Sequence, residues 1–148
     1  MGIVDLSKLP QADGWMTTAD GFDVRAFLLA NVTVGEAAAL SLLFWPEFVE
    51  YRDCVFLGAL FDKRSVDTWF EELKGDRSAV ENVVNHLHLW DVFAPRSESE
   101  YAILPEVASR VAAMWRAALR DAFPAREFVV AVLGEEGDYG PTVSFRSA

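Results

Sequence analysis

The spacing of apolar residues changes near the C-terminus, and this change restricts the fold class more than any other feature of the sequence. Residues 105–123 place apolar side chains three and four positions apart, which is the spacing of one buried helix face. Residues 127–133 are instead apolar at nearly every position, as in a strand covered on both sides. After a turn, Val143 and Phe145 alternate with polar residues, as in a half-buried strand. A long helix followed by a hairpin predicts an α+β fold with several helices on a small, mainly antiparallel sheet.

The first third of the chain carries an apolar segment with a clear helix start. Thr33 and Glu36 have the spacing of a capping box, and the apolar residues that follow reach Phe44, just before Pro46. Because this predicted helix is almost wholly apolar, we expect it to be buried on most of its sides. A second capping-box pattern at residues 78–81 predicts a helix that runs to about Trp90. The remaining predicted elements are a helix at 22–30, a strand at 51–60, a helix at 65–75 and a loop at 95–100.

The whole chain, residues 1–148, is expected to form a single domain with an irregular N-terminal arm at residues 1–21. A length of 148 residues is typical of one domain, and a chain this long folds without disulfides or metal ions. Cys54 is the single cysteine, so an intramolecular disulfide is excluded. Since Cys54 lies in an apolar run, we expect its thiol to be a small buried hydrophobic group.

The formal net charge of −10 restricts the partners of the chain. Phosphate backbones and anionic lipid surfaces are poor partners for such a chain, because binding would bring like charges together. The longest apolar stretch, residues 37–46, is too short to span a bilayer, and the N-terminus lacks the pattern of a secretory signal. The sequence therefore predicts a cytoplasmic protein that binds neither nucleic acid nor membranes.

One polar cluster in the predicted helix at 78–90 is a candidate for catalysis. Glu81, Asn85 and His88 follow one flank of that helix, where a carboxylate could orient the histidine as a base. His86 lies about 200° around the same helix from His88, so the two rings cannot chelate one ion. No cofactor and no metal site is predicted. The cluster supports a small hydrolase or ligand-binding domain as the alternative function.

The opposite side of the same predicted helix is a candidate for partner binding. It carries Leu89 and Phe93, with Asn82 and His86 beside them. A helix with apolar residues on two faces lies between two layers of a fold or contributes to an interface, and the sequence leaves both open.

The absence of a catalytic motif and the acidic composition favour a non-enzymatic protein-interaction module. The partner would be another protein, for example a basic one, or a second copy in a homodimer. In size and charge the chain resembles bacterial immunity proteins that neutralise toxins. That resemblance implies a regulatory binding protein whose negative surface meets a basic partner.

Overall fold

The computed structural model describes residues 4–17, 21–134 and 139–148, and it has the α+β class that the sequence predicts. Its helices are α1 (Val24–Asn31), α2 (Val34–Phe44), α3 (Lys63–Glu72), α4 (Arg77–Val84) and α5 (Glu98–Ala122). Its strands are β1 (Met16–Thr17), β2 (Gly21–Phe22), β3 (Phe48–Tyr51), β4 (Cys54–Leu57), β5 (His86–His88), β6 (Phe128–Leu133) and β7 (Thr142–Ser147). Short 3-10 turns occupy Leu6–Lys8, Pro10–Trp15, Gly58–Leu60 and Leu89–Asp91.

All strand pairs among the described residues are antiparallel. The largest sheet has the order β5-β7-β6, so the strand nearest the C-terminus is its central strand. The predicted C-terminal hairpin is confirmed as β6 and β7, in register with Val130 opposite Phe145, while residues 135–138 of its loop lie outside the described ranges. A separate hairpin joins β3 and β4, and β1 pairs with β2.

Strand β4 is buried on both faces and separates two cores. Val55 and Leu57 point into the larger core, which lies between α5 and the three-stranded sheet. Cys54 and Phe56 point into a smaller core under α3 and α4. The larger core also contains Leu87, Leu89, Leu104, Ala108, Val111, Ala112, Trp115, Leu119, Val130, Val143 and Phe145. The fold is therefore layered, with α3 and α4 on one side of β4 and α5 on the other.

The predicted strand at 51–60 is wrong in its bounds, because a tight turn divides that region. Arg52 and Asp53 adopt φ values of 52° and 62°, which is the left-handed conformation that a two-residue hairpin turn requires. Strand β3 consequently ends at Tyr51 and β4 begins at Cys54. The predicted burial of Cys54 is confirmed, and burial raises the pKa of its thiol to about 11.

The helix predicted at 78–90 exists but is wrong in its C-terminal bound, since α4 ends at Val84 and residues 86–88 form β5. The capping box at its start does not form either, because Asp76 caps α4 and the Glu81 side chain turns into the core. Pairing of β5 with β7 outweighs the helical spacing of the apolar residues, a common outcome when tertiary contacts compete with local preference.

The long C-terminal helix begins earlier than predicted. Its N-cap is Ser97, whose side chain accepts a hydrogen bond from the Glu100 amide, so part of the predicted loop at 95–100 is helical. Pro105 lies inside α5, at an exposed position, and not at its start.

Helix α2 is the element whose surroundings differ most from expectation. Its capping box is confirmed, because the Thr33 hydroxyl accepts from the Glu36 amide while the Glu36 carboxylate accepts from the Thr33 amide. The predicted burial is wrong, because most of its side chains face solvent. Among the described helices none is long and apolar enough to cross a membrane alone. Helices α1 and α2 reach the length and hydropathy of a membrane span only when they are taken together, and a bend of 116° separates them.

Candidate interaction surface

Glu81 lies in the core and binds backbone from two separate strands. Its Oε1 accepts a hydrogen bond from the Val55 amide at 2.8 Å and one from the Ser147 hydroxyl at 2.9 Å. Its Oε2 accepts from the Ser147 amide at 2.6 Å. The side chain is buried, so these donors replace the water that a carboxylate otherwise requires.

Asn85 continues the same arrangement one helical turn later. Its Oδ1 accepts from the Leu57 amide at 2.9 Å, and its Nδ2 donates to the carbonyls of Val55 and Phe145 at 2.9 Å and 3.4 Å. Together Glu81 and Asn85 link the free edge of β4 to β7, in place of direct strand pairing. Their polar atoms are occupied and buried, so a substrate would have to displace the strands to reach them.

His88 is separated from the other two candidates by the end of α4. It lies on β5, half-buried, with Nδ1 at 2.9 Å from the Thr142 hydroxyl. Its ring also contacts His86 at 4.6 Å and Tyr139 at 5.2 Å between ring centroids. Within the described ranges, no three His, Cys, Asp or Glu side chains are placed to hold a metal ion. The three candidate residues therefore do not converge on a cleft.

Trp90 and Gly140 pack tightly at the end of this row of rings. Gly140 has a φ of +70°, and a Cβ at this position would lie 2.4 Å from Cε2 of Trp90. Only glycine combines this backbone conformation with so close an approach. Tyr101 and Tyr139 contact the Trp90 ring edge-to-face, at 5.5 Å and 5.4 Å.

Gly140→Ala should lower the free energy of unfolding by about 1–3 kcal/mol, since the new methyl group forces the backbone or the Trp90 ring to shift. Gly35→Ala is the control, because a Cβ there meets nothing closer than 3.9 Å and alanine is the better helix former. Urea unfolding followed by circular dichroism measures both changes. Equal stability of the two variants would contradict the packing of Gly140 against Trp90.

The four residues predicted to bind a partner do not share one surface. Leu89 is fully buried in the larger core, so it is not available to a partner in this fold. Asn82 is exposed on α4, and His86 is half-buried on β5. Phe93 is half-buried and lines a different region, a groove beside α5. The helical face that would have joined them does not exist, because Leu89–Asp91 form a 3-10 turn after a strand.

Helix α2 has two apolar stripes on opposite sides. The inner stripe, Leu40, Leu43 and Phe44, is half-buried against the body of the protein. The outer stripe consists of Val34, Ala38 and Leu42, at the spacing of a single helix face. Trp45 follows the last residue of α2 and lines a pocket with Phe44 and α5. Val34 is 88% exposed, Leu42 57% and Trp45 51%. A helix that is apolar all round is normally buried, so the outer stripe is unusual for a surface.

Helix α1 extends the exposed apolar surface. Leu29 is 89% exposed, and Val24 and Leu28 are each 48% exposed. Residues 24–46 contain two charged side chains, Arg25 and Glu36, whose charges cancel. Large apolar residues without neighbouring net charge form the kind of surface that mediates protein association.

A groove lies on the inner side of these helices. Its volume is about 860 Å³, and it runs between the N-terminal segment, the inner stripe of α2 and α5. Its apolar lining includes Leu9, Phe27, Leu40, Phe93, Ile103 and Val107. The groove lies along one side of α2 and the exposed outer stripe along the other. Solvent therefore reaches most of the surface of this helix.

Similarity to known proteins was sought for the whole chain. No family model, curated protein or solved structure matches it. The function therefore has to be inferred from the surface chemistry of the fold.

Sequence reasoning missed the outer stripe for a specific reason. The apolar run after Thr33 predicts a core helix, since apolar helices are usually buried. The absence of net charge over residues 24–46, in a chain of charge −10, was the available signal. It marks a segment without the charged face that a helix at a protein surface normally carries.

Proposed function

We propose that this protein is a non-enzymatic protein-interaction module that binds another protein chain through the outer stripe of α2 and the adjoining face of α1. The observation that supports this function is the exposure of large apolar side chains on α1 and α2, above all Leu29 and Val34. Burying such side chains against a partner gains roughly 1.5–3 kcal/mol for each one that becomes fully covered. A cytoplasmic location, predicted from the sequence, is part of this proposal.

The alternative function, a small hydrolase or ligand-binding domain, has less support. Glu81 and Asn85 spend their polar atoms on the backbone of β4 and β7. His88 points to Thr142, and no hydrogen bond joins it to either residue in the described part of the chain. Because no carboxylate orients His88 and the three candidate residues do not converge on a cleft, His88 lacks the geometry that general acid–base catalysis requires.

The acidic composition supports a separate and weaker expectation, which is the binding of a basic protein. Immunity proteins, which the chain resembles in size and charge, bind such partners. The outer stripe itself contains no acidic side chain, since its members are Val34, Ala38 and Leu42. Binding at the outer stripe is instead driven by apolar burial, and it should persist at high ionic strength.

Site-specific photo-crosslinking in cells that produce the protein tests the proposal. A benzophenone amino acid replaces Leu42 on the outer stripe, or Glu72 on the exposed side of α3 as the control. We expect illumination to give a protein adduct at position 42 and none at position 72. Adding Ala38→Glu to the position-42 variant should abolish the adduct, because a carboxylate at the centre of the stripe opposes burial.

Two results would overturn the proposed function. One is the absence of any protein adduct at position 42. The other is an adduct of equal yield at positions 42 and 72, or one that Ala38→Glu leaves unchanged, since either would show contact without a specific surface.

A further inference from the structure

We propose that His86 and His88, on the edge strand β5, together chelate a first-row transition-metal dication such as Zn²⁺ or Cu²⁺. This inference goes beyond the proposed function, because it concerns a different part of the fold and does not use the outer stripe of α2. It assigns a ligand to the row of rings described above.

The strand conformation of residues 86–88 places the two imidazole rings on one face. In the predicted helix the rings would lie about 200° apart, which is why no metal site is predicted from the sequence. Residues 86–88 form β5 instead, and side chains two positions apart on a strand share a face. Leu87, between them, is buried in the larger core, so both imidazoles lie on the opposite side of the sheet.

The distance between the rings suits a single bound ion. Their centroids are 4.6 Å apart, so the two rings are already in contact. Zn²⁺ binds an imidazole nitrogen at about 2.0–2.1 Å, and two such nitrogens on one tetrahedral ion are therefore about 3–3.5 Å apart. Side-chain rotation can reach this separation while the backbone of β5 stays paired with β7, with His86 opposite Ser144 and His88 opposite Thr142.

Thr142 prepares His88 for a metal ion. Its hydroxyl oxygen lies 2.9 Å from Nδ1 of His88 and 3.4 Å from the Gly140 carbonyl oxygen. Because a carbonyl oxygen only accepts, the hydroxyl donates to Gly140 and accepts the Nδ1 proton of His88. Nε2 of His88 then carries the lone pair that a metal requires. Histidines that ligate metal ions usually donate their other ring nitrogen in this way.

The chemistry of the pair selects the class of ion. Imidazole nitrogens suit Zn²⁺, Cu²⁺ and Ni²⁺, whereas Mg²⁺ and Ca²⁺ prefer oxygen ligands. Both histidines are half-buried, so an ion reaches them from solvent, while Cys54, the single thiol, is fully buried. The net charge of −10 attracts dications to the surface of the chain. Two imidazoles occupy two of the four positions of a tetrahedral ion, and water can fill the others.

Proton nuclear magnetic resonance of the untagged full chain tests the site without any substitution. The chain has two histidines, so their ring signals report on this pair alone. We expect added Zn²⁺ to shift or broaden the ring signals of both histidines together, with the same concentration dependence. Mg²⁺ at the same concentrations should change neither.

Calorimetric titration with Cu²⁺ tests the role of each side chain. His86→Ala and His88→Ala should each weaken binding by about 100-fold, because the second imidazole acts at a high effective concentration. Thr142→Val removes the hydroxyl that orients His88 and should weaken binding by about 10-fold. Glu72→Ala, on the exposed side of α3, is the control and should leave the affinity unchanged. Circular dichroism of each variant verifies that it folds.

Three results would overturn the inference. The first is a Zn²⁺ titration in which the ring signals of one histidine change without those of the other, or in which neither set changes. The second is Cu²⁺ binding of undiminished affinity in both histidine variants. The third is a stoichiometry of one ion for two chains, which would show that each copy supplies one ligand. None of these experiments involves the outer stripe, so each of these results would leave the proposed function standing.

Discussion

Glu81→Ala should lower the free energy of unfolding by about 3–5 kcal/mol, because it leaves backbone donors without an acceptor and empties the space of a buried side chain. The substitution removes three hydrogen bonds and leaves the buried amide of Val55 and the half-buried amide of Ser147 without an acceptor. If Glu81→Ala does not fold, Glu81→Gln provides the measurement, because it keeps the side-chain volume and one acceptor oxygen. We expect a loss of about 2 kcal/mol or more for Glu81→Gln. Urea unfolding followed by far-ultraviolet circular dichroism gives each value.

Glu72→Ala is the matched control for Glu81, since Glu72 is exposed near the end of α3. Its effect should stay within about 0.5 kcal/mol, as for most surface substitutions. If both substitutions cost the same, the carboxylate of Glu81 does not hold β4 to β7, and the linkage described for these strands is wrong.

Trp115→Ala should be as costly, about 3–5 kcal/mol, because it empties the centre of the larger core. The indole packs edge-to-face on Phe145, and its Nε1 donates to the Leu43 carbonyl at 2.9 Å. That hydrogen bond ties α5 to the C-terminal end of α2. Trp115→Phe keeps an aromatic ring and should lose less, about 1–3 kcal/mol, from one hydrogen bond and the part of the indole that phenylalanine does not fill.

Trp45→Ala is the control for Trp115→Ala, because it also removes a tryptophan side chain but not one from the core. Trp45 is 51% exposed, so its removal should change stability by less than about 1 kcal/mol. A stability loss at Trp45 equal to that at Trp115 would contradict the burial assigned to the two side chains.

The fold class was predictable because the C-terminal half follows simple periodic rules. The apolar face of α5 and the pairing of β6 with β7 both arise from local sequence patterns that tertiary contacts reinforce. The segment after Val84 was not predictable in the same way. His86 and His88 have the alternation of a strand, but the helical spacing upstream continues through them, and only pairing with the distant β7 decides the structure.

The surroundings of Glu81 and of α2 were harder to predict, because the burial of each depends on distant parts of the chain. Glu81 has the sequence signature of a capping residue, yet its carboxylate serves strands that are far away in the chain. The apolar run of α2 has the signature of a core helix, and no local rule distinguishes a core helix from an apolar helix that the fold leaves exposed. Burial is a property of the whole fold, so it could not be derived from either segment alone.

The linkage through Glu81 and Asn85 also bears on the order in which the chain folds. Glu81 and Ser147 are 66 residues apart in sequence, and Asn85 and Phe145 are 60 apart. Contacts between such distant residues form slowly, because a long loop must close before they gain any energy. We expect α5 and the two hairpins to form early, and the docking of α4 between β4 and β7 to be the late, rate-limiting event. Until α4 docks, the backbone groups of β4 and β7 that Glu81 and Asn85 bind stay open to pairing with other molecules. The rate of α4 docking should therefore govern how readily the chain misfolds.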